Sequence, residues 1–222
     1  MNRIITAGYM VLLSCVAFAA ESGWQGPPVV GTLQTYSRSQ PDTKMAGKFY
    51  VNRVGFRSEM QMGPSKIINI ANSKEGKCWY ADEGKNILME TSFNLKTGIC
   101  PSFMGEAMDA GADKSSAEAV PCEGYTVKIS LGGDIVAGRE VEKWACSGGS
   151  RNDSETQWHD QKLKFILKSE TSNGDCMEFV EVKETSFAAS LLEKPRGMKF
   201  VSAVEFRKAI FGGMFPPGMP TR

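Results

Sequence analysis

The chain has 222 residues, with 26 Lys and Arg against 25 Asp and Glu, one His and six Cys. Once a leader carrying Arg3 is removed, 25 basic residues face 25 acidic ones, which leaves no basic surplus to release counterions from a nucleic acid. A single histidine, His159, is a thin inventory for triads or acid–base chemistry, and the absence of any CxxC spacing speaks against zinc.

Residues 1–20 read as an export signal. Arg3 gives a positive start, residues 4–18 are uncharged and mostly apolar, and Ala17-Phe18-Ala19 offers a small-x-small cleavage site. The run falls short of the ~20 apolar residues that a spanning helix needs. The mature chain is expected to open at Ala20 or Glu21. Leu12-Leu13-Ser14-Cys15 also resembles a bacterial lipobox, so the alternative is a lipoprotein anchored through Cys15. Residues 21–211 are long enough to bury one core and are taken as one domain. Residues 212–222 form a Gly/Pro tail.

Strands joined by turns fill most of the domain. Residues 29–36 come first, followed by a polar stretch at 37–44 and strands over 45–51 and 54–62. In the last of these Phe56, Ser58, Met60 and Met62 face one way and Arg57, Glu59 and Gln61 the other, the period of a half-buried strand. Strands over 66–71, 77–81 and 86–93 follow, separated by Asn/Gly- and Asp/Gly-containing turns. Residues 101–121 predict a short helix and a loop, with Met104 and Met108 one turn apart. Alternation resumes at Tyr125, Val127, Ile129 and Leu131, with Gly132-Gly133 expected to end that strand. Strands over 140–146, 156–160, 163–169 and 175–183 come next, and Asn173-Gly174 marks a hairpin. Residues 200–211 predict a second short helix. The fold class is mainly β (α+β): a curved antiparallel sheet or half-open barrel under one or two short helices.

Five cysteines remain beyond the leader, enough for two disulfides and a free thiol in an oxidising compartment. Cys100 and Cys122 flank the predicted helix and are expected to pair. Cys146 and Cys176 are expected at one end of a meander and to pair there, leaving Cys78 free. Ten methionines also remain, and flexible thioethers suit surfaces that receive varied apolar partners. Phe56, Met60 and Met62 are the candidate wall of an apolar cavity, with Met104 and Met108 as its lid. No motif for a nucleophile elbow, a phosphate loop or a metal helix is present, so neither catalysis nor a cofactor is expected.

Several short motifs carry a resemblance. Gly138-Arg139-Glu140-Val141-Glu142-Lys143-Trp144 precedes Trp158-His159-Asp160-Gln161-Lys162-Leu163, then Met177-Glu178-Phe179 and Leu192-Glu193-Lys194-Pro195-Arg196-Gly197-Met198. With Gly47-Lys48-Phe49-Tyr50-Val51 and Phe56-Arg57-Ser58-Glu59 upstream, this order resembles the LolA/LolB-like superfamily of lipoprotein-localisation factors, in its exported branches. Leu192 and Met198 depart from the aromatic residues that the closing motif prefers. The resemblance implies a half-open β-barrel around a hydrophobic cavity, non-covalent binding of a lipid or other apolar ligand in the envelope, and no catalysis. An envelope protein or lipoprotein is the further partner it implies. The alternative is a disulfide-stabilised interaction module with a filled core and no ligand.

Overall fold

A computed structural model describes residues 24, 26–62, 64–93, 100, 120–149 and 154–211. Residues 1–20, where the export signal is expected, Met104, Met108 and residues 212–222 lie outside the described residues.

Turn chemistry folds the chain into two antiparallel meanders. The first comprises β1 (Val29–Ser37), β2 (Gln40–Asn52), β3 (Gly55–Met62), β4 (Ser65–Asn72), β5 (Lys77–Asp82) and β6 (Ile87–Ser92). The second comprises β7 (Val127–Val136), β8 (Arg139–Ser147), β9 (Glu155–Asp160), β10 (Phe165–Thr171) and β11 (Asp175–Glu184). β1 pairs with β11, so the two join as one open, 12-stranded sheet that runs β12-β6-β5-β4-β3-β2-β1-β11-β10-β9-β8-β7. Here β12 (Lys199–Phe200) adds to β6 in parallel, immediately before helix α1 (Ala203–Phe211). Ser202 and Glu205 form a capping box for α1. The Glu205 amide donates to Ser202 Oγ at 3.2 Å, and the Ser202 amide donates to Glu205 Oε2 at 2.8 Å.

Two expected boundaries move. The polar stretch at 37–44 does not separate strands: it closes a hairpin at Arg38 and Ser39, and β2 already begins at Gln40. Gly132-Gly133 does not end a strand either. Gly132 takes φ +94° at a bulge opposite β8, and the strand continues to Val136. The reversal comes at Ala137 and Gly138, both with positive φ, as a two-residue hairpin loop requires.

One face of the sheet closes on itself. Phe49 of β2 stacks on Phe165 of β10 with ring centroids 5.8 Å apart, although β1 and β11 lie between their strands. In a flat sheet those strands stand about 14 Å apart, so the sheet curls to bring the rings together. Phe179 touches both rings, Trp24 meets Phe165 edge-on, and Phe206 of α1 is buried in the same cluster. The convex face of β4–β6 has its own apolar patch, with Ile68, Ile70, Trp79, Ala81 and Leu88 covered by Leu192. Leu192 belongs to a 3-10 turn, Ala189–Leu192, held down where Arg57 Nη1 donates to the Leu191 carbonyl and Asn72 Nδ2 to that of Leu192, at 3.2 and 3.0 Å.

The disulfides differ from the expected pairing. Cys78 bonds Cys100, Cys122 bonds Cys146, and Cys176 is the buried free thiol. The meander does place two strands between Cys146 and Cys176, and that is what keeps them apart. Third-neighbour strands stand about 14 Å apart, where a disulfide needs Cα atoms within about 7 Å. Cys122 instead reaches Cys146 from the turn that leads into β7, the strand next to β8. With sequence separations of 22 and 24, each bond stabilises the fold by about 3 kcal/mol on the chain-entropy account. Peptide mapping without reduction should recover Cys78–Cys100 and Cys122–Cys146 as linked pairs, with Cys176 alkylated only after denaturation. A Cys146–Cys176 peptide would contradict this arrangement.

Candidate functional site

Cross-strand register sorts the concave face of the first meander into rows. Val29, Val51, Phe56, Ala71 and Cys78 form one row. Gly31, Phe49, Ser58, Asn69, Tyr80 and Met89 form the next, and Leu33, Gly47, Met60, Ile67, Asp82 and Ile87 the third. Met45 extends the face beyond the third row, two residues before Gly47 on β2.

Burial is uneven across these rows. The first is sealed: Val51, Ala71 and Cys78 are fully buried and Phe56 is 1% exposed. The third is mixed: Leu33, Ile67 and Asp82 are buried, whereas Met60 and Ile87, with Met45 beyond them, are only partly buried while still packed against the core. Val201 and Ile210, before and within α1, pack against the same core in the same partly buried state. A strip of partly exposed side chains, Met45, Met60 and Ile87, therefore lies along the rim of the concave face, interrupted by the buried Ile67 and Asp82. The Cys78–Cys100 bond fixes Cys100 against the sealed row.

The expected site residues divide along the same line. Met60 belongs to the accessible strip, whereas Phe56 is core packing behind it. Met62 pairs with Ser65 across the β3–β4 turn, and Met104 and Met108 fall outside the described residues. Ile67 and Ile87 were not among the expected site residues, and Met45 was expected only as one of the ten methionines. Their signal was available only once the register of β2, β4 and β6 against β3 was known.

Polar groups on this face are few. Asp82 is fully buried and its carboxylate accepts the Lys85 amide at 3.1 Å, with the Lys85 ammonium 3.3 Å away. Asn69 is buried, and its carbonyl oxygen Oδ1 has no hydrogen-bond partner among the described residues. The cations of β2–β4 stand elsewhere: Lys44 lies over the Tyr36 ring, 4.8 Å from its centroid, and Lys48, Arg57 and Lys66 alternate onto the opposite face. There Lys66 and Arg57 donate to Glu59. Burial works against ionisation of Glu59, but those two hydrogen bonds outweigh it and hold the carboxyl below its usual range.

Elsewhere the titratable groups serve structure. Asp160 pairs with Arg139 and accepts the amides of Lys162 and Leu163, both at 2.9 Å, which fixes the turn into β10. His159 is buried, and as the next residue along β9 it faces away from Asp160, across from Glu142. The expected strand over 163–169 starts two residues late, so Lys162 and Lys164 sit in that turn and only Lys168 is in the strand. The ammoniums of Lys168 and Lys143 lie 5.0 and 4.9 Å from the Trp158 ring. Burial pushes the Cys176 thiol up, away from the thiolate that a nucleophile needs. Beside it Tyr36, which donates to Glu178 at 3.3 Å, is pushed up to about 12 by burial and by the neighbouring Cys176 and Glu178. Among the described residues no group of His, Cys, Asp and Glu is placed to hold a metal, and no helix is long and apolar enough to cross a membrane.

No protein-family model matches the chain, and no curated protein matches it in sequence. Similar solved structures do exist. An uncharacterised conserved protein from Thermus thermophilus superposes with a TM-score of 0.50 at 11% identity, over 89% of this chain and 99% of that one. The MucB structure in the Pseudomonas aeruginosa MucA/MucB complex gives 0.49 at 14% identity, and the match spans 88% of this chain but only 63% of that one. A putative outer membrane lipoprotein-sorting protein domain from Vibrio parahaemolyticus gives 0.31 at 10% identity, over 78% and 92% of the two chains. At these identities the likeness is one of fold. The curved, open sheet is the architecture that the LolA/LolB-like resemblance implied.

The two rows make opposite predictions for a buried charge. Phe56→Glu places a carboxylate in the sealed row and should cost more than about 4 kcal/mol, enough to abolish a cooperative urea transition. Met60→Glu can turn its carboxylate to the open rim and should keep that transition, at a cost of about 1–2 kcal/mol. Equal damage from both would show that the strip is as closed as the core.

Proposed function

We propose that this chain is an exported envelope protein that binds a lipid or another hydrophobic ligand non-covalently on the concave face of its half-barrel. The observation that carries the reading is the contrast between the sealed Phe56 row and the partly exposed Met45, Met60 and Ile87. Apolar surface left partly open along a concave face is unfavourable in water unless something covers it. Flexible methionines at the rim suit ligands of more than one shape. The leader at residues 1–20, with cleavage near Ala19 or Ala20, supplies the export route, and two disulfides fit an oxidising compartment. Lipidation at Cys15 would add an anchor without changing the face that binds.

A second observation favours the interaction-module alternative. The edge strand β7 exposes Val127, Ile129, Leu131 and Ile135, the last of them 69% exposed. Among the described strands none pairs with its outer edge, although the Gly132 bulge interrupts the edge that a partner strand would use.

Native mass spectrometry of protein purified from its own envelope separates the two. The carrier reading expects wild-type protein to retain a lipid mass and folded Met60→Glu to lose it. Ile129→Ser and Ile135→Ser, on the β7 edge, should retain it. Wild-type protein that arrives empty and binds no apolar dye would contradict the carrier and leave the β7 edge as the functional surface.

A further inference from the structure

The concave face of β3–β6 contains a buried polar group that its own fold leaves unanswered. Asn69 is 8% exposed, and no described residue donates to its Oδ1. It stands in the middle row, between Ser58 of β3 and Tyr80 of β5, one row behind the partly exposed Met60 and the buried Ile67. Leaving a buried amide oxygen unpaired costs a good part of its hydration, so a buried acceptor of this kind calls for a donor. An apolar residue of similar volume would fill the same position at no such cost.

We propose that Asn69 is the head-group anchor of the strip, and that the ligand is a single-chain lipid with an uncharged, hydrogen-bond-donating head such as a hydroxyl. Asn69 Oδ1 accepts the hydrogen bond, while the alkyl chain lies outward along Ile67, Met60 and Met45. The electrostatics of the face select against a charged head. Asp82 is the next concave-facing position along β5 from Tyr80 and is fully buried. Its carboxylate disfavours an anionic head, and its own neighbour Lys85 already occupies the cationic position. With Lys44 over the Tyr36 ring and Lys48, Arg57 and Lys66 on the opposite face, no described cation of β2–β4 is left to receive a fatty-acid carboxylate. This inference rests on the proposed carrier function and adds to it the class of head group.

Displacement of the apolar dye N-phenyl-1-naphthylamine from the full chain tests it, with 1-dodecanol, dodecyl methyl ether and dodecanoate as competitors. The alcohol and the ether differ in the donor and little in the chain. Wild-type protein should release the dye to dodecanol at about one-tenth of the ether concentration, with dodecanoate weaker than either. In Asn69→Leu the advantage of the alcohol should vanish while the ether competes as before. Asn69→Ala is read beside it, so that a packing fault of the larger side chain does not decide the result. Equal competition by alcohol and ether in wild-type protein, or an alcohol advantage that survives both substitutions, would overturn the anchor while leaving the carrier intact. A dye that never binds would overturn both.

Discussion

The pairing of β1 with β11 holds this molecule together. Each meander is a run of hairpins that its own turns can form, but neither closes a core alone. When β1 and β11 pair over nine positions, Phe49, Phe165 and Phe179 come to lie over the seam and pack against one another. Each such ring removed from water contributes about 2–3 kcal/mol, and the edge-to-face contacts add to that. The same contacts set the curvature, because rings on third-neighbour strands touch only if the sheet bends toward them. A concave face, and therefore any site on it, is a consequence of that seam.

Much of the strand content was legible because it depends on local chemistry. The alternation over residues 56–62 identifies which side chains share a face, and β3 obeys it. Asn173-Gly174 turns the chain from β10 to β11 as a hairpin signal should. The errors share a cause, which is that local signals do not encode what lies across the sheet. Gly132-Gly133 has the composition of a strand end, yet β8 supplies a partner on the far side and the strand survives as a bulge. Residues 37–44 are polar enough for a loop, yet the turn takes only Arg38 and Ser39, and β2 begins at Gln40 opposite Ser37 of β1. The cysteine pairing failed on distance: the Phe49 and Phe165 rings span third-neighbour strands, and two short Cys side chains cannot.

The candidate site was half legible for the same reason. Phe56 and Met60 share a face, as alternation requires, but alternation carries no information about how deep each lies along the strand. Depth comes from the neighbours. Phe56 sits between Val51 and Ala71 in the sealed row, and Met60 between Gly47 and Ile67 in the mixed one. A glycine at 47 removes bulk next to Met60 and helps leave it accessible; a Cβ there would fall 2.5 Å from the Glu59 carbonyl oxygen. Asn69 was not legible at all, since only the surrounding register marks it as facing the core.

The central claim is that the accessible strip on the concave face is where an apolar ligand lies. Photolabelling of the intact protein with a diazirine-bearing alkyl probe, followed by peptide mapping, addresses it most directly. The account predicts adducts on Met45, Met60 and Ile87 that an excess of unlabelled ligand suppresses. Trp79 and Leu88 on the convex face should remain unlabelled. Adducts confined to Val127, Ile129, Leu131 and Ile135 on the β7 edge, or spread without competition over the whole surface, would contradict it.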